Sequence, residues 1–455
     1  MSIDRRRLLA IAVAGAAASV LPRGEPASAA AGSVSAASRP GALFGADGNP
    51  DWTSVRGEFE LDPDWIHLGS FFLASNPRVV RDAMARYRRE IDANPLSIDR
   101  LFQPAHTDDN RATRTRLALA SYLGGRRDEI ALSPNTTTGL ALLYNGLRIR
   151  TDQEILVTEH DHYVHHEAVR YAAERSGAAV RFVALHEGSA TASAAAMVDR
   201  LRQAIAPRTR VVGLTWVHSS TGLKLPIAEL AAVVMQANTG RSEADRCLLI
   251  VDGVHGFGVE DVDAARLGAD FFVASAHKWL LAPRGTGVIW GRAESWPAIR
   301  PTIPNFDPDG GAAYGAWKER APLPATRAAF ISPGGFIAYE NQFAVADAIA
   351  FHRELGRARI TARIHELNAQ IRQGLAAIKG VTLHTPVDGS LAAGIACFEV
   401  AGMKPEAVVE RLAVRRIHAT TSPYKVSYAR LAAGIMNSPG EIDTALAAVR
   451  DLAGA

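Results

Sequence analysis

Apolar residues along the chain gather into short continuous runs, and between those runs they recur every three or four positions. Continuous runs read as strands buried on both faces, and the wider spacing reads as helices with one apolar side. The runs fall at 130–133, 154–158, 211–216, 248–251, 271–274 and 288–290. Helical spacing covers 77 to about 91, 110–123, 227 to about 236, and nearly all of 338–378. Residues 65–70 read as a short strand entering a turn, with Phe71 and Phe72 behind it as either pocket wall or core. Toward the carboxyl end, strands near 394–400 and helices at about 405–412 and 440–452 predict a second, smaller αβ domain.

Two of these runs carry candidate chemistry at their ends. Run 248–251 ends at Asp252, and run 271–274 ends at Ser275-Ala276-His277-Lys278. A helical interval between them predicts a βαβ unit, which puts the carboxyl ends of both strands on one edge of the sheet. Asp252 and Lys278 then converge, although 278 − 252 = 26 positions separate them. A lysine beside a carboxylate suits pyridoxal phosphate (PLP). The amine forms a Schiff base, and the acid beside the ring nitrogen keeps the ring an electron sink. Buried Asp–Lys pairs also serve structure alone, so the neighbouring residues carry the reading.

Those neighbours, VDGVHG and then SAHKWL, resemble the fold-type I PLP enzymes of the class V aminotransferase superfamily. That group includes cysteine desulfurases, kynureninases and isopenicillin N epimerase, and the pattern over about 65–452 is most similar to the isopenicillin N epimerase-like branch. The resemblance implies an α/β fold of the PLP-dependent transferase type. Its large domain would hold a mainly parallel seven-stranded sheet, beside a smaller αβ C-terminal domain. The resemblance also implies that Asp252 pairs with the ring nitrogen, His255 approaches the phenolic oxygen, Ser275 and His277 hold the phosphate, and Lys278 forms the Schiff base.

Further positions follow. Asn135-Thr136-Thr137 opens a helix, where backbone N–H groups and hydroxyls make a phosphate cradle, and Thr136 and Thr137 match the phosphate loop of cysteine desulfurases. Ser219 stands where relatives carry a polar residue near the cofactor. Ser332-Pro333-Gly334-Gly335 stands where relatives reach the cofactor phosphate of a neighbouring subunit, which implies a homodimer, though the usual Gly-Thr is Gly-Gly here. Arg430, followed by Asn437 and Glu441-Ile442-Asp443, is similar to an ending whose arginine grips the substrate carboxylate. A planar guanidinium offers two donors matched to that group.

The expected function is that of an aminotransferase or epimerase acting on an α-amino acid. A C–S or C–C lyase is the first alternative, and an inactive exported binding protein of the same fold the second. A persulfide-forming desulfurase is disfavoured, because 415–423, ahead of Arg430, holds no cysteine. The only cysteines, Cys247 and Cys397, sit in apolar runs and read as core.

Glu159-His160-Asp161-His162-Tyr163-Val164-His165-His166-Glu167 is dense in metal-ligand types. Alternate residues of an extended segment share only one face, so no metal is expected. The same strand end supplies the ring that stacks on PLP in class V enzymes. The desulfurase pattern selects His160 and the kynureninase pattern selects Tyr163.

With 455 residues and 48% hydrophobic content the chain is long enough for two domains. Its formal charge is +3, from 50 basic and 47 acidic side chains, and no basic run is interleaved with aromatics. Nucleic acid is therefore not an expected partner. Arg5-Arg6-Arg7, an apolar stretch to Leu21 and Ala27-Ser28-Ala29 resemble a twin-arginine export signal with its cleavage site. The expected organisation is a signal at 1–29, a linker at 30–63, a PLP-binding domain at 64–325 and a small domain at 326–455. Removal of the signal would leave no membrane segment.

Overall fold

The computed structural model describes residues 43–96, 110–305 and 311–454. The expected export signal and the first part of the expected linker lie outside them. The described part of that linker is folded: it carries the helix Trp52–Arg56 and buries Val55 and Phe59.

Thirteen strands are described: β1 (Ile66–His67), β2 (Ile130–Ser133), β3 (Glu154–Thr158), β4 (Ala179–Val183), β5 (Thr209–Thr215), β6 (Leu248–Asp252), β7 (Phe271–Ser275), β8 (Gly287–Gly291), β9 (Val381–Leu383), β10 (Ala396–Val400), β11 (Ile417–His418), β12 (Thr420–Thr421) and β13 (Ala429–Leu431). Seven of them form one sheet in the order β2-β8-β7-β6-β5-β3-β4. Only β8 runs against its neighbours, so the sheet is mainly parallel as expected. Every residue of β2, β3, β5, β6, β7 and β8 is buried. This explains their continuous apolar runs: both faces of the sheet are covered by separate side-chain clusters.

A second, antiparallel sheet, β12-β13-β10-β9, carries its own core near the carboxyl end. The helix Arg357–Ala376 joins the two cores. Ile360 and Ile364 pack into the large one, and Leu367, Ile371 and Leu375 into the small one. The long helical pattern over 338–378 is broken ahead of this helix at Gly356, whose φ of 89° suits glycine.

One expectation fails in the crossover between β6 and β7. The chain makes successive turns from Gly253 and only a short 3-10 helix, Ala264–Leu267, in place of an α-helix. The reason is close packing: a Cβ at Gly253 would strike the Phe272 ring, and one at Gly256 the Trp216 ring. Glycines there let the backbone lie directly on neighbouring side chains. The two strands still pair in parallel, so Asp252 and Ser275 reach the same edge.

Candidate active site

The carboxyl ends of β2, β3, β5, β6 and β7 share one edge, the usual place for a ligand in an open α/β sheet. A cavity of about 430 Å³ lies there. Nine of the eleven expected site residues line it: Thr136, Thr137, Ser219, Asp252, His255, Ser275, His277, Lys278 and Arg430. Residues more than 290 positions apart are thus brought to one place.

At one end, the helix Thr136–Gly146 starts on the cavity wall. Asn135 caps it by accepting from the N–H of Thr138 at 2.9 Å. The Thr136 N–H donates to Ser275 Oγ at 2.8 Å, and the two hydroxyls lie 2.8 Å apart. The Thr137 N–H has no protein acceptor among the described residues.

In the middle, Lys278 Nζ stands 3.3 Å from His255 Nε2. Trp279 Nε1–H donates to the other imidazole nitrogen, Nδ1, at 3.4 Å. With Nδ1 as acceptor in a neutral imidazole, Nε2 carries the proton, and the lysine amine accepts it in its neutral form. Burial acts in the same direction: it holds the His255 pKa far below the usual histidine range and lowers that of Lys278. Burial also raises the carboxyl pKa of Asp252, and the Val254 N–H, donated at 3.1 Å, counters this in part.

At the other end, Arg430 is buried on β13 and packs 4.8 Å from the Phe71 ring. Nε donates to Thr420 Oγ1 at 3.0 Å, Nη1 to the Ser219 carbonyl at 2.9 Å and Nη2 to the Thr421 carbonyl at 2.7 Å. A guanidinium has five N–H donors, so one remains on each Nη. Phe71 serves as both core and cavity wall, while Phe72 is 65% exposed at the mouth.

The ring expected at the end of β3 needs correction. Neither His160 nor Tyr163 lines the cavity; His162 does. The cause is Asp161, whose carboxylate accepts the N–H of Thr158 and that of Thr215, each at 2.9 Å. This ties the chain into a turn, so the segment is not extended, and alternate residues do not share a face. His160 stacks on His186 at 3.8 Å, while the helix Tyr163–Ser176 carries Tyr163 outward to 63% exposure. His162 is that helix's N-cap. Its Nδ1 accepts from the Val164 N–H at 3.2 Å, and burial with nearby Lys278 and Arg430 pushes its pKa down to about 4. His165 turns instead to the Tyr144 hydroxyl at 2.7 Å, and His166 Nε2 meets the Thr158 carbonyl. Among the described residues no cluster is arranged to hold a metal ion.

Tyr424 was not foreseen. It lines the cavity with its hydroxyl 2.9 Å from Ser219 Oγ, and its ring meets His162 edge to face at 5.4 Å. Its only sequence signal is its place in a turn-prone stretch shortly before Arg430. Cys247 and Cys397 are fully buried, and burial pushes both thiols up to about 12, so neither is a nucleophile.

Half-buried His160 and buried His186 and His218 form a group next to Asp161. Burial lowers the pKa of His186 to about 3 and of His218 to about 4. The unfolded chain, with histidine near 6.5, therefore binds protons that the folded chain refuses. Stability is full above pH about 6.5 and falls as pH drops toward 4, by about 3 kcal/mol for His218 alone. Urea denaturation at pH 7 and pH 4.5 should show this loss, and His218→Gln should flatten the dependence.

The family description Aminotransferase class-V matches residues 73–423, and the chain belongs to that family. Isopenicillin N epimerase of Streptomyces clavuligerus is 31% identical over 364 residues, covering 77% of this chain and 84% of that protein. The enzyme of the same name from Amycolatopsis lactamdurans is 28% identical over 355 residues, with the same coverage of 77% and 84%. A probable cysteine desulfurase of Vibrio cholerae is 26% identical over 406 residues, covering 84% and 92%. Among solved structures, a C-DES variant with glycine covalently linked to its PLP cofactor matches with TM-score 0.75 at 21% identity, over 87% of this chain and 99% of that one. Apo cysteine desulfurase from Thermococcus onnurineus NA1 gives 0.74 at 20% identity, over 88% and 97%. These two share the fold.

The family's cofactor is PLP, and the cavity fits it. It presents an amine, a buried acid and an orphan N–H at a helix start. It also presents His277, whose Nδ1 is buried without a partner. These donors and acceptors match an aldehyde, a ring nitrogen and a phosphate.

Proposed function

We propose that this chain is an epimerase or aminotransferase that takes an α-amino acid by its carboxylate and moves the proton of the α-carbon. One observation carries the reading: a single cavity holds Lys278, Asp252 and Arg430. Thr136, Thr137, Ser275 and His277 are the residues that would hold the phosphate, Asp252 the ring nitrogen, and His162 the flat face of the ring. Lys278 is the residue that would bond the cofactor. PLP, when bound, supplies an electron sink for charge left at the α-carbon. Arg430 orients the substrate through its two remaining N–H donors. Lys278, its amine lowered toward neutrality by burial, takes the α-proton as general base. Phe71, Phe72, Leu73, Val164 and Pro423 make an apolar surround that limits water there.

The relatives named isopenicillin N epimerase favour epimerisation as the first test. Incubation with amino acids of both configurations, with and without 2-oxo acids, separates the two reactions. Inverted configuration without an acceptor means epimerisation, and new amino acid formed from the oxo acid means transfer. Neither product from any substrate would sink the reading. His162→Ala should weaken PLP retention by about fivefold, the cost of about 1 kcal/mol of ring contact, as read by equilibrium dialysis.

The same reading includes a homodimer. Trp317, 72% exposed, Tyr314, Phe336, 76% exposed, and Ile337 leave apolar surface outside the core, as expected of an interface. Sedimentation at micromolar concentration tests it. It also includes export by the N-terminal segment, testable with a reporter fusion. No described helix is long and apolar enough to cross a membrane.

A further inference from the structure

We propose that Tyr424 is a second proton-transfer residue, set across the cavity from Lys278, so that a proton removed from one face of the α-carbon is replaced on the other. The inference rests on the function proposed above and favours epimerisation over amino transfer.

The cavity walls fall into two groups. His255, Lys278 and Phe71 form one: Lys278 Nζ contacts His255 at 3.3 Å, and the Phe71 and His255 rings are 5.8 Å apart. His162, Tyr424 and Ser219 form the other, through the 5.4 Å ring contact and the 2.9 Å hydroxyl pair. No hydrogen bond or ring contact joins the two groups, yet Arg430 touches both. Its guanidinium packs on the Phe71 ring and donates to the Ser219 carbonyl. A carboxylate gripped by Arg430 therefore places its α-carbon between the Lys278 wall and the Tyr424 wall.

The resting protonation states suit the two roles. The bond pattern at His255 suits the neutral Lys278 amine, the form that accepts a proton. Burial raises the Tyr424 pKa, which keeps the phenol protonated as a donor. In the forward step the α C–H bond breaks and its proton goes to Lys278 Nζ. A new C–H bond forms on the opposite face with the proton of Tyr424 Oη. The phenol regains a proton from solvent through Ser219 Oγ, its existing hydrogen-bond partner, and Lys278 releases one to solvent. Nothing is oxidised or reduced, and the reverse direction exchanges the roles.

Tyr424→Phe removes the hydroxyl and keeps the ring against His162. The test follows α-hydrogen exchange in deuterated water by NMR, for the PLP-loaded wild type and variant, with common amino acids of both configurations. The wild type should exchange and invert both enantiomers of its best substrate. The variant should lose inversion by at least a hundredfold and still exchange one enantiomer with retention. It should also bind the α-methyl analogue of that amino acid, which has no α-hydrogen, with unchanged affinity. Inversion within threefold of wild type overturns the proposal, as does equal loss of exchange from both enantiomers with weakened analogue binding, which would mark a positioning role. A wild type that exchanges without inverting also overturns it, while leaving amino transfer open. A wild type that exchanges no amino acid overturns the function reading itself.

Discussion

Lys278→Ala should fold as the wild type does and lose turnover by about a thousandfold, within the usual span for removal of a general base. Lys278 supplies the only amine among the described residues that line the cavity. No neighbour can take over its proton transfer from the same position. His255 is held neutral by burial and has its Nδ1 occupied by Trp279. Steady-state kinetics beside a thermal melt checks both parts. Turnover within tenfold of wild type would remove Lys278 from the chemistry, while a collapsed melt would show that its stem is needed for packing.

Arg430→Lys should raise KM strongly and lower kcat/KM by about a hundredfold. A lysine ammonium is a compact charge and cannot present two parallel N–H groups to a carboxylate. Losing two charge-assisted hydrogen bonds is worth about 3 kcal/mol, which corresponds to that factor. The same substitution strips the buried donors from Ser219 O, Thr421 O and Thr420 Oγ1. Arg430→Ala should in addition destabilise the fold by about 1–3 kcal/mol, because buried carbonyls are left unpaired. The kinetic readout is the split between KM and kcat. A variant that loses kcat with KM unchanged would mean that Arg430 does not hold the substrate.

Six of the seven strands of the large sheet were legible because they are buried on both faces, which turns each into an uninterrupted apolar run. The seventh, β4, partly exposed at the sheet edge, has no such run and was missed. Asp252 and Lys278 were legible for the same reason as the six: each ends or closely follows such a run, and parallel pairing fixes their common edge. Residues set by tertiary contacts were not. His162 reaches the cavity because Asp161 accepts the Thr215 N–H from a strand 54 positions away, a bond with no local signature. Had the helix over 163–176 been read from its apolar spacing, His162 would have stood out as its N-cap. Tyr424 belongs to a tight loop closed by the Ser422 N–H and carbonyl bonding Tyr428 and Ser427, so nothing in its spacing announced an inward ring. The crossover after Asp252 misled because its glycines serve close packing, where a helix had been expected. Arg430 was legible from its ending motif, but its three protein acceptors were not, and they leave one donor on each Nη.

The most direct test of the central claim is reductive trapping. The purified protein is loaded with PLP, treated with borohydride, digested and mapped by mass spectrometry. The account predicts the reduced cofactor on the peptide containing Lys278 and on no other, with the label lost in Lys278→Ala. A protein that retains no PLP, or one that carries it on a different lysine, would contradict it.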